Sequence, residues 1–124
     1  MKVPGFLLRR LYVKGSLTAN ADGFEFQLEN RLGSGYARRL LPLTLNGVVL
    51  NMEQTTFEVD GRRQTFDAVS NDTPFTLAMN KTTTIVYSGG AIGDGPHKIV
   101  MSFEVAGLGE LSFDFSDIAA PTQR

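Results

Sequence analysis

Two runs of alternating apolar and polar residues near the C-terminal end of the chain restrict the fold more than any other feature. They occupy residues 96–105 and 111–115. A period of two is typical of a half-buried β-strand, because successive side chains point to opposite faces. The connection between the runs contains Gly107-Leu108-Gly109, which suits a type I turn followed by a glycine bulge. These residues therefore predict a β-hairpin.

The register of this hairpin is predicted by requiring that both apolar sets lie on one face. The opposite pairs are then Val105 with Leu111, Phe103 with Phe113, and Met101 with Phe115. A slip of one residue would turn the second apolar set towards solvent, so a well-defined register is expected.

The N-terminal part of the chain predicts a first strand over residues 6–17. Apolar residues would fall on both of its faces, with Leu7, Leu11 and Val13 on one and Phe6, Leu8 and Tyr12 on the other. One interpretation is a central strand whose basic side chains extend along the protein surface. The other is a strand that packs on its own core on one side and on a partner protein on the other.

Further strands are predicted over residues 24–28, 36–45, 48–50, 55–59, 62–66 and 82–88. Pro42 interrupts one of them and indicates an edge position or a bulge. Asn46-Gly47 and Asp60-Gly61 predict two tight hairpins, because these residues tolerate a positive φ. The second hairpin is expected to place Glu58 opposite Arg63.

About eight short strands separated by turn residues predict an all-β fold without a helix of ordinary length. The architecture is expected to be a two-sheet antiparallel β-sandwich or a partly closed barrel. A length of 124 residues fits a single domain over residues 1–124. Residues 117–124 are predicted to form a tail.

The composition narrows the possible functions. The chain has no cysteine, which excludes disulfides and thiolate metal sites. Its formal net charge is −1, so neither nucleic acid nor a membrane surface is an expected partner. No stretch has the length and character of a membrane span or of a secretory signal, so a cytoplasmic location is expected.

Residues that commonly carry chemistry are sparse. His97 is the only histidine, and a structural hydrogen-bonding role is favoured over a catalytic one. Asp94 lies in a glycine-rich connection that lacks the calcium-loop pattern, and Asp114 is expected to face water. We therefore predict no catalytic, metal-binding or cofactor-binding residue on this chain.

Three arginine pairs, Arg9-Arg10, Arg38-Arg39 and Arg62-Arg63, indicate either a solvated surface or a contact surface. Apolar patches rimmed by arginine are typical of interfaces. From this patterning we predict that the residues contacting a partner include Arg9, Arg10, Tyr12, Arg38 and Arg39.

Several stretches resemble the small β subunit of bacterial C-glycoside deglycosidases. They are residues 1–17 (MKVPGFLLRRLYVKGSL), 23–30 (GFEFQLEN), 57–61 (FEVDG), 95–99 (GPHKI) and 109–114 (GELSFD). The stretches are spread over most of the chain, and the N-terminal block together with their order carries the resemblance.

The resemblance implies a non-catalytic β subunit of a two-component carbon–carbon lyase in carbohydrate metabolism. The expected partner is a TIM-barrel α subunit that holds a divalent metal, with manganese expected. That subunit would cleave the C–C glycosidic bond of 3-oxo-C-glycosides by β-elimination, with the metal polarising the ketone. This chain would support the barrel without a cofactor of its own.

Two other functions stay open on the residues alone. One is a free-standing carbohydrate- or protein-binding β-sandwich module. The other is a small hydrolase that uses scattered carboxylates or His97.

Overall fold

The computed structural model of the protein describes residues 3–33, 35–93 and 95–121. A short helix, α1 (Gly5–Leu8), and a 3₁₀ turn (Arg9–Leu11) precede the strands. Two more 3₁₀ turns span Met52–Gln54 and Phe66–Ala68. The strands are β1 (Thr18–Ala19), β2 (Phe24–Glu29), β3 (Gly35–Ala37), β4 (Arg39–Leu40), β5 (Thr44–Leu45), β6 (Val48–Val49), β7 (Thr55–Val59), β8 (Arg62–Thr65), β9 (Phe75–Leu77), β10 (Thr82–Tyr87), β11 (Pro96–Val105), β12 (Gly109–Ile118) and β13 (Ala120–Pro121).

Two larger sheets form the body of the molecule. One has the strand order β13-β1-β2-β10-β7-β8, and the other has β12-β11-β5-β6, with β4 also paired to β11. A small third sheet joins β3 to β9. Apart from the parallel pair of β1 and β13, the neighbouring strands are antiparallel. The predicted all-β, sandwich-like architecture is confirmed.

The alternating residues of β2 and β11 supply much of the core between the two larger sheets. Phe24, Phe26 and Leu28 of β2 are fully buried, and so are Ile99 and Met101 of β11. Burying a side chain of this kind contributes about 1.5–3 kcal/mol. The period of two in the sequence therefore fixes which face of each strand turns inwards.

The hairpin of β11 and β12 forms as predicted, but the predicted register is wrong by two residues. Phe103 lies opposite Leu111 and Met101 opposite Phe113. The chain reverses over Ala106-Gly107-Leu108, where the Leu108 N–H donates to the Val105 carbonyl over 3.1 Å. Gly107 and Gly109 both adopt a positive φ, 87° and 82°. Because the shift is an even number, each apolar side chain keeps its predicted face.

The two other predicted tight turns are confirmed. Asn46-Gly47 and Asp60-Gly61 have positive φ at all four residues. Glu58 lies opposite Arg63 as predicted, and the Arg63 Nη2 to Glu58 Oε1 distance is 3.0 Å. This exposed ion pair contributes well under about 1 kcal/mol.

The predicted first strand over residues 6–17 is wrong. The chain instead forms α1, the 3₁₀ turn, and an isolated bridge between Tyr12 and Leu28. Leu8 and Leu11 are buried together because a three-residue spacing places them on one side of a helical turn. Short apolar runs fit a helix and a strand equally well, which is why the pattern misled.

The predicted tail does not begin at Asp117. Strand β12 continues to Ile118, and β13 adds a parallel strand beside β1. The Ala120 N–H donates to the Leu17 carbonyl over 3.0 Å. Residues 122–124 of the predicted tail lie outside the described residues.

Within the residues that the structure describes, no helix combines the length and the apolar character needed to cross a bilayer.

Gly23, just before β2, provides a test of the close packing between this segment and the end of β10. A Cβ atom at this position would overlap the carbonyl oxygen of Tyr87. We expect Gly23→Ala to lower the free energy of unfolding by about 1–3 kcal/mol, the usual cost of overpacking. Denaturant titration measures this loss.

Gly93→Ala is the matched control, because a Cβ there meets nothing within 4 Å and Gly93 lacks a left-handed φ. An equal loss of stability in both variants would contradict the packing explanation.

Candidate functional site

An apolar groove of about 350 Å³ lies at one end of the sandwich. Its walls come from α1 with the following 3₁₀ turn, from the loop that follows β2 together with β3 and β9, and from the tip of the β11–β12 hairpin. The lining residues are Val3, Leu7, Leu8, Leu11, Asn30, Leu32, Gly33, Gly35, Tyr36, Ala37, Phe75, Leu77, Phe103, Val105, Leu108 and Leu111.

Among the described lining residues, Asn30 is the one with an amide, acidic or basic side chain. It is buried. Its Nδ2 donates to the carbonyls of Gly33 and Leu77 over 2.6 and 2.8 Å. Its Oδ1 accepts from the N–H groups of Leu32 and Gly33 over 3.0 and 3.3 Å. These four bonds use the full capacity of the amide, so Asn30 fixes the loop and offers nothing to a bound molecule.

The mouth of the groove carries exposed apolar side chains. Leu32, Tyr36 and Leu108 are 38%, 53% and 38% exposed. Phe6, which precedes the lining residue Leu7 in the sequence, is 69% exposed. Clustered exposed apolar residues around a concavity are typical of a contact surface.

Four of the five predicted partner-contact residues flank this groove along the chain. Arg9 and Arg10 adjoin the lining residues Leu8 and Leu11, and Arg38 and Arg39 follow the lining residue Ala37. The two arginine pairs thus adjoin segments that line one groove, whereas the Arg9 side chain itself lies against Asp114.

Three of these arginines already make exposed ion pairs. Arg38 Nε lies 3.1 Å from Glu104 Oε1, and Arg39 Nη2 lies 3.7 Å from Glu104 Oε2. Arg9 Nη2 lies 2.8 Å from Asp114 Oδ1. Each guanidinium has five N–H donors, so donors remain for a partner. Arg10 is exposed, and no ion pair involves it among the described residues.

Tyr12 has an internal role. Its ring stacks on Phe115 with centroids 3.7 Å apart, and its hydroxyl donates to Asp117 Oδ2 over 2.7 Å. The same carboxylate accepts the N–H groups of Gly15 and Ile118 over 2.9 and 2.8 Å. Tyr12 and Asp117 therefore fasten the N-terminal segment to β12. Its predicted contact with a partner stays a prediction.

Contacts of this kind shift the pKa of three titratable groups. Burial, followed by the hydrogen bond to Asp117, raises the pKa of Tyr12 to about 12. The hydrogen bond from Tyr12, followed by that from the Gly15 amide, lowers the pKa of Asp117. The hydrogen bond from Arg9, aided by Lys98, lowers the pKa of Asp114. Hydrogen bonds from Tyr12 to Asp117 and from Arg9 to Asp114 thus favour the ionised form of both carboxylates.

His97 is buried, and hydrogen bonds occupy both of its ring nitrogens. Nε2 lies 2.6 Å from the Gly93 carbonyl and Nδ1 lies 2.9 Å from Asn46 Nδ2. Because a carbonyl only accepts, Nε2 donates and Nδ1 accepts from the amide. This geometry supports the structural role of His97.

The described residues include no group of three or more His, Cys, Asp or Glu side chains that could hold a metal ion. Asp94, considered in the sequence as a loop carboxylate, lies outside the described residues.

Sequence reasoning selects the arginines but does not reveal the groove lined by the neighbouring segments. The available signals were the spacing of Leu8 and Leu11 and the apolar residues Leu32 and Leu108 placed in loops. Neither signal reveals a cavity, because the walls come from segments up to about a hundred residues apart.

Together these features define a small all-β sandwich domain with an apolar groove at one end. The family model described as "Hydroxymethylglutaryl-CoA reductase, N-terminal domain" matches residues 7–120, and the chain belongs to this family. No curated protein matches the chain by sequence.

The family match overturns the resemblance to the small subunit of C-glycoside deglycosidases. The predicted function as a lyase subunit that supports β-elimination is therefore wrong. The match also gives no support to the alternative of a free-standing binding module. The stretches that carried the resemblance are alternating strands and tight turns. Many antiparallel sandwiches need such patterns, so they specify a fold more strongly than a family.

The lowered pKa of Asp117 and Asp114 predicts how stability depends on pH. A carboxyl group with a depressed folded-state pKa stabilises the fold above its unfolded pKa of about 4. That contribution is lost as the pH falls through the folded-state pKa. Tyr12→Phe keeps the ring stack and removes one donor to Asp117, so we expect a loss of about 1 kcal/mol at neutral pH. The difference from wild type should shrink in acid, as measured by denaturant titration at a series of pH values.

Tyr36→Phe is the control, since Tyr36 is exposed. It should change stability by less than about 0.5 kcal/mol at every pH. A Tyr12→Phe deficit that stays constant down to strongly acidic pH would contradict the assignment.

Asn30 provides a separate test of the groove wall. Asn30→Ala would leave the Leu32 N–H and the Leu77 carbonyl without this partner, so we expect a loss of about 1–3 kcal/mol. Amide hydrogen exchange of residues 30–33 should accelerate more than exchange in β11. Uniform acceleration across both regions would show that Asn30 does not specifically hold this loop.

Proposed function

We propose that this chain is a non-catalytic docking domain of a hydroxymethylglutaryl-CoA reductase assembly. In this proposal the apolar groove, with the arginines beside it, contacts the chain or segment that carries the catalytic residues. The groove is the single observation on which the proposal depends, and the name of the matched family supports the kind of assembly.

The chemistry of the groove supports contact with apolar side chains. Asn30, the one side-chain amide among the described lining residues, is fully hydrogen-bonded within the protein, so polar groups of a ligand would lose their bonds to water without replacement. Leu32, Tyr36 and Leu108 would be removed from water on contact, which contributes roughly 25 cal/mol for each Å² of apolar area.

The charges near the groove support a partner surface that carries carboxylates. Among the described residues within two positions of a lining residue, the basic ones are Arg9, Arg10, Arg31, Arg38 and Arg39, and the acidic ones are Glu29, Glu104 and Glu110. With Asp114, the ion-pair partner of Arg9, included, basic residues outnumber acidic ones by five to four, in contrast to the net charge of −1 for the whole chain. Opposite charge at the rim steers association and sets its orientation.

The internal hydrogen bonds of His97 and Asp117 support a non-catalytic role. Both nitrogens of His97 hold the Asn46 turn and the Gly93 carbonyl, and Asp117 fastens the N-terminal segment. These groups act within the fold.

The proposal retains a hetero-oligomer in which any cofactor or metal belongs to the larger partner. The TIM-barrel partner and the manganese ion were implied only by the overturned resemblance, and no other observation supports them. A cytoplasmic location remains a prediction from the sequence.

Co-expression with the hydroxymethylglutaryl-CoA reductase catalytic chain of the same genome tests the proposal. We expect a complex in size-exclusion chromatography with light scattering. Leu108→Asp should weaken it at least about tenfold, because a carboxylate would enter an apolar contact beside Glu104 and Glu110.

Ile118→Asp is the matched control, since Ile118 is 65% exposed at the opposite end of β12. Its complex should match that of the wild-type chain. Absence of a complex, or equal weakening by both substitutions, would reject the groove as the docking surface.

A further inference from the structure

The free edges of the two larger sheets differ in how they are protected against pairing with another strand. An edge strand exposes unpaired backbone groups, and most proteins cover or charge it. At β12, α1 packs alongside, and Arg9 Nε donates to the Asp114 carbonyl over 2.7 Å. Strand β8 carries exposed Arg62 and Arg63, and β13 ends in Pro121, which has no N–H.

Strand β6 differs in this respect from β8, β12 and β13. Its two residues, Val48 and Val49, are 62% and 66% exposed. Residues 40–52, which contain the whole β5–β6 hairpin, include no charged residue. Within this hairpin no charged side chain protects the edge, which is only two residues long.

The hydrogen bonding of the hairpin leaves one residue facing outwards. The Leu50 N–H donates to the Leu43 carbonyl over 2.9 Å, and Val48 lies opposite Leu45. Backbone groups alternate in direction along an antiparallel strand, so Val49 directs its N–H and C=O away from β5. Val49 thus presents one donor and one acceptor at the free edge.

Residues 48–50 are complementary to a second copy of themselves. A two-fold axis at Val49 pairs Val49 with its own copy through two backbone hydrogen bonds. The same arrangement sets Val48 opposite Leu50, and both side chains lie on the same face of the sheet. A charge at position 49 would meet its own copy across the axis and destabilise the pair, and residues 48–50 carry no charge.

We propose that β6 is a self-association edge, through which two copies of this chain form an antiparallel, two-fold symmetric dimer with a continuous sheet. Such isologous contacts are the most common way in which identical chains associate. Because the shared edge is short, the dimer is weak and depends on protein concentration. The inference is independent of the proposed docking function, since no groove-lining residue belongs to β6.

Sedimentation velocity over a series of protein concentrations tests the dimer. We expect a reversible monomer–dimer equilibrium for the wild-type chain. Val49→Lys should raise the dissociation constant at least about tenfold by placing two ammonium groups across the axis. Val49→Thr keeps the shape and the backbone and should dimerise like wild type.

Amide hydrogen exchange of Val49 identifies the edge involved. In the monomer this amide faces solvent, so its exchange should be fast at low protein concentration and slow down as the concentration rises. The Leu50 amide, bonded within the hairpin, should remain protected throughout, also in Val49→Lys.

Three outcomes would overturn the inference. They are a wild-type chain that stays monomeric at its highest soluble concentration, a dimer that survives Val49→Lys, and exchange at Val49 that is independent of concentration.

Discussion

The contact of Phe115 with Tyr12 and Phe26 is the interaction on which the rest of the structure depends. Phe115 on β12 meets Phe26 on β2 edge to face, with centroids 5.0 Å apart, and so joins the two larger sheets. Its stacking on Tyr12, supported by Asp117, fixes the N-terminal segment. That segment covers the edge of β12 and supplies one wall of the groove. A single buried ring therefore links the core, a protected edge and the candidate site.

The polar residues that first attract attention in the sequence are used to hold the fold. His97 and Asn46 attach the β5–β6 turn to β11, while Asp114 and Asp117 attach the N-terminal segment to β12. The contact surfaces proposed for other molecules are an apolar groove near arginine-containing segments and an uncharged strand edge. This division is physically reasonable, because buried polar groups need internal partners, whereas clustered exposed apolar groups are stabilised by contact with another surface.

Much of the fold was predictable from local patterns, but the candidate site was predictable only in part. Alternation in β2, β10, β11 and β12 gave the strands and their buried faces, and Asn46-Gly47 and Asp60-Gly61 gave two turns. The sequence patterning predicts contact residues at Arg9, Arg10, Arg38 and Arg39. No local sequence pattern shows that the segments next to them line a common groove. The family was misjudged, because strand and turn patterns report architecture and carry little information about ancestry.

The sequence by itself determined the all-β class, since a period of two can bury only one face of a strand. Only the tertiary structure decided the two-residue offset in the β11–β12 register, because an even shift leaves every side chain on the same face. It also decided that residues 5–11 form helical turns, since the burial of Leu8 and Leu11 depends on the sheets beneath them. The groove belongs to this second group as well, because its walls are brought together only by the packing of distant segments.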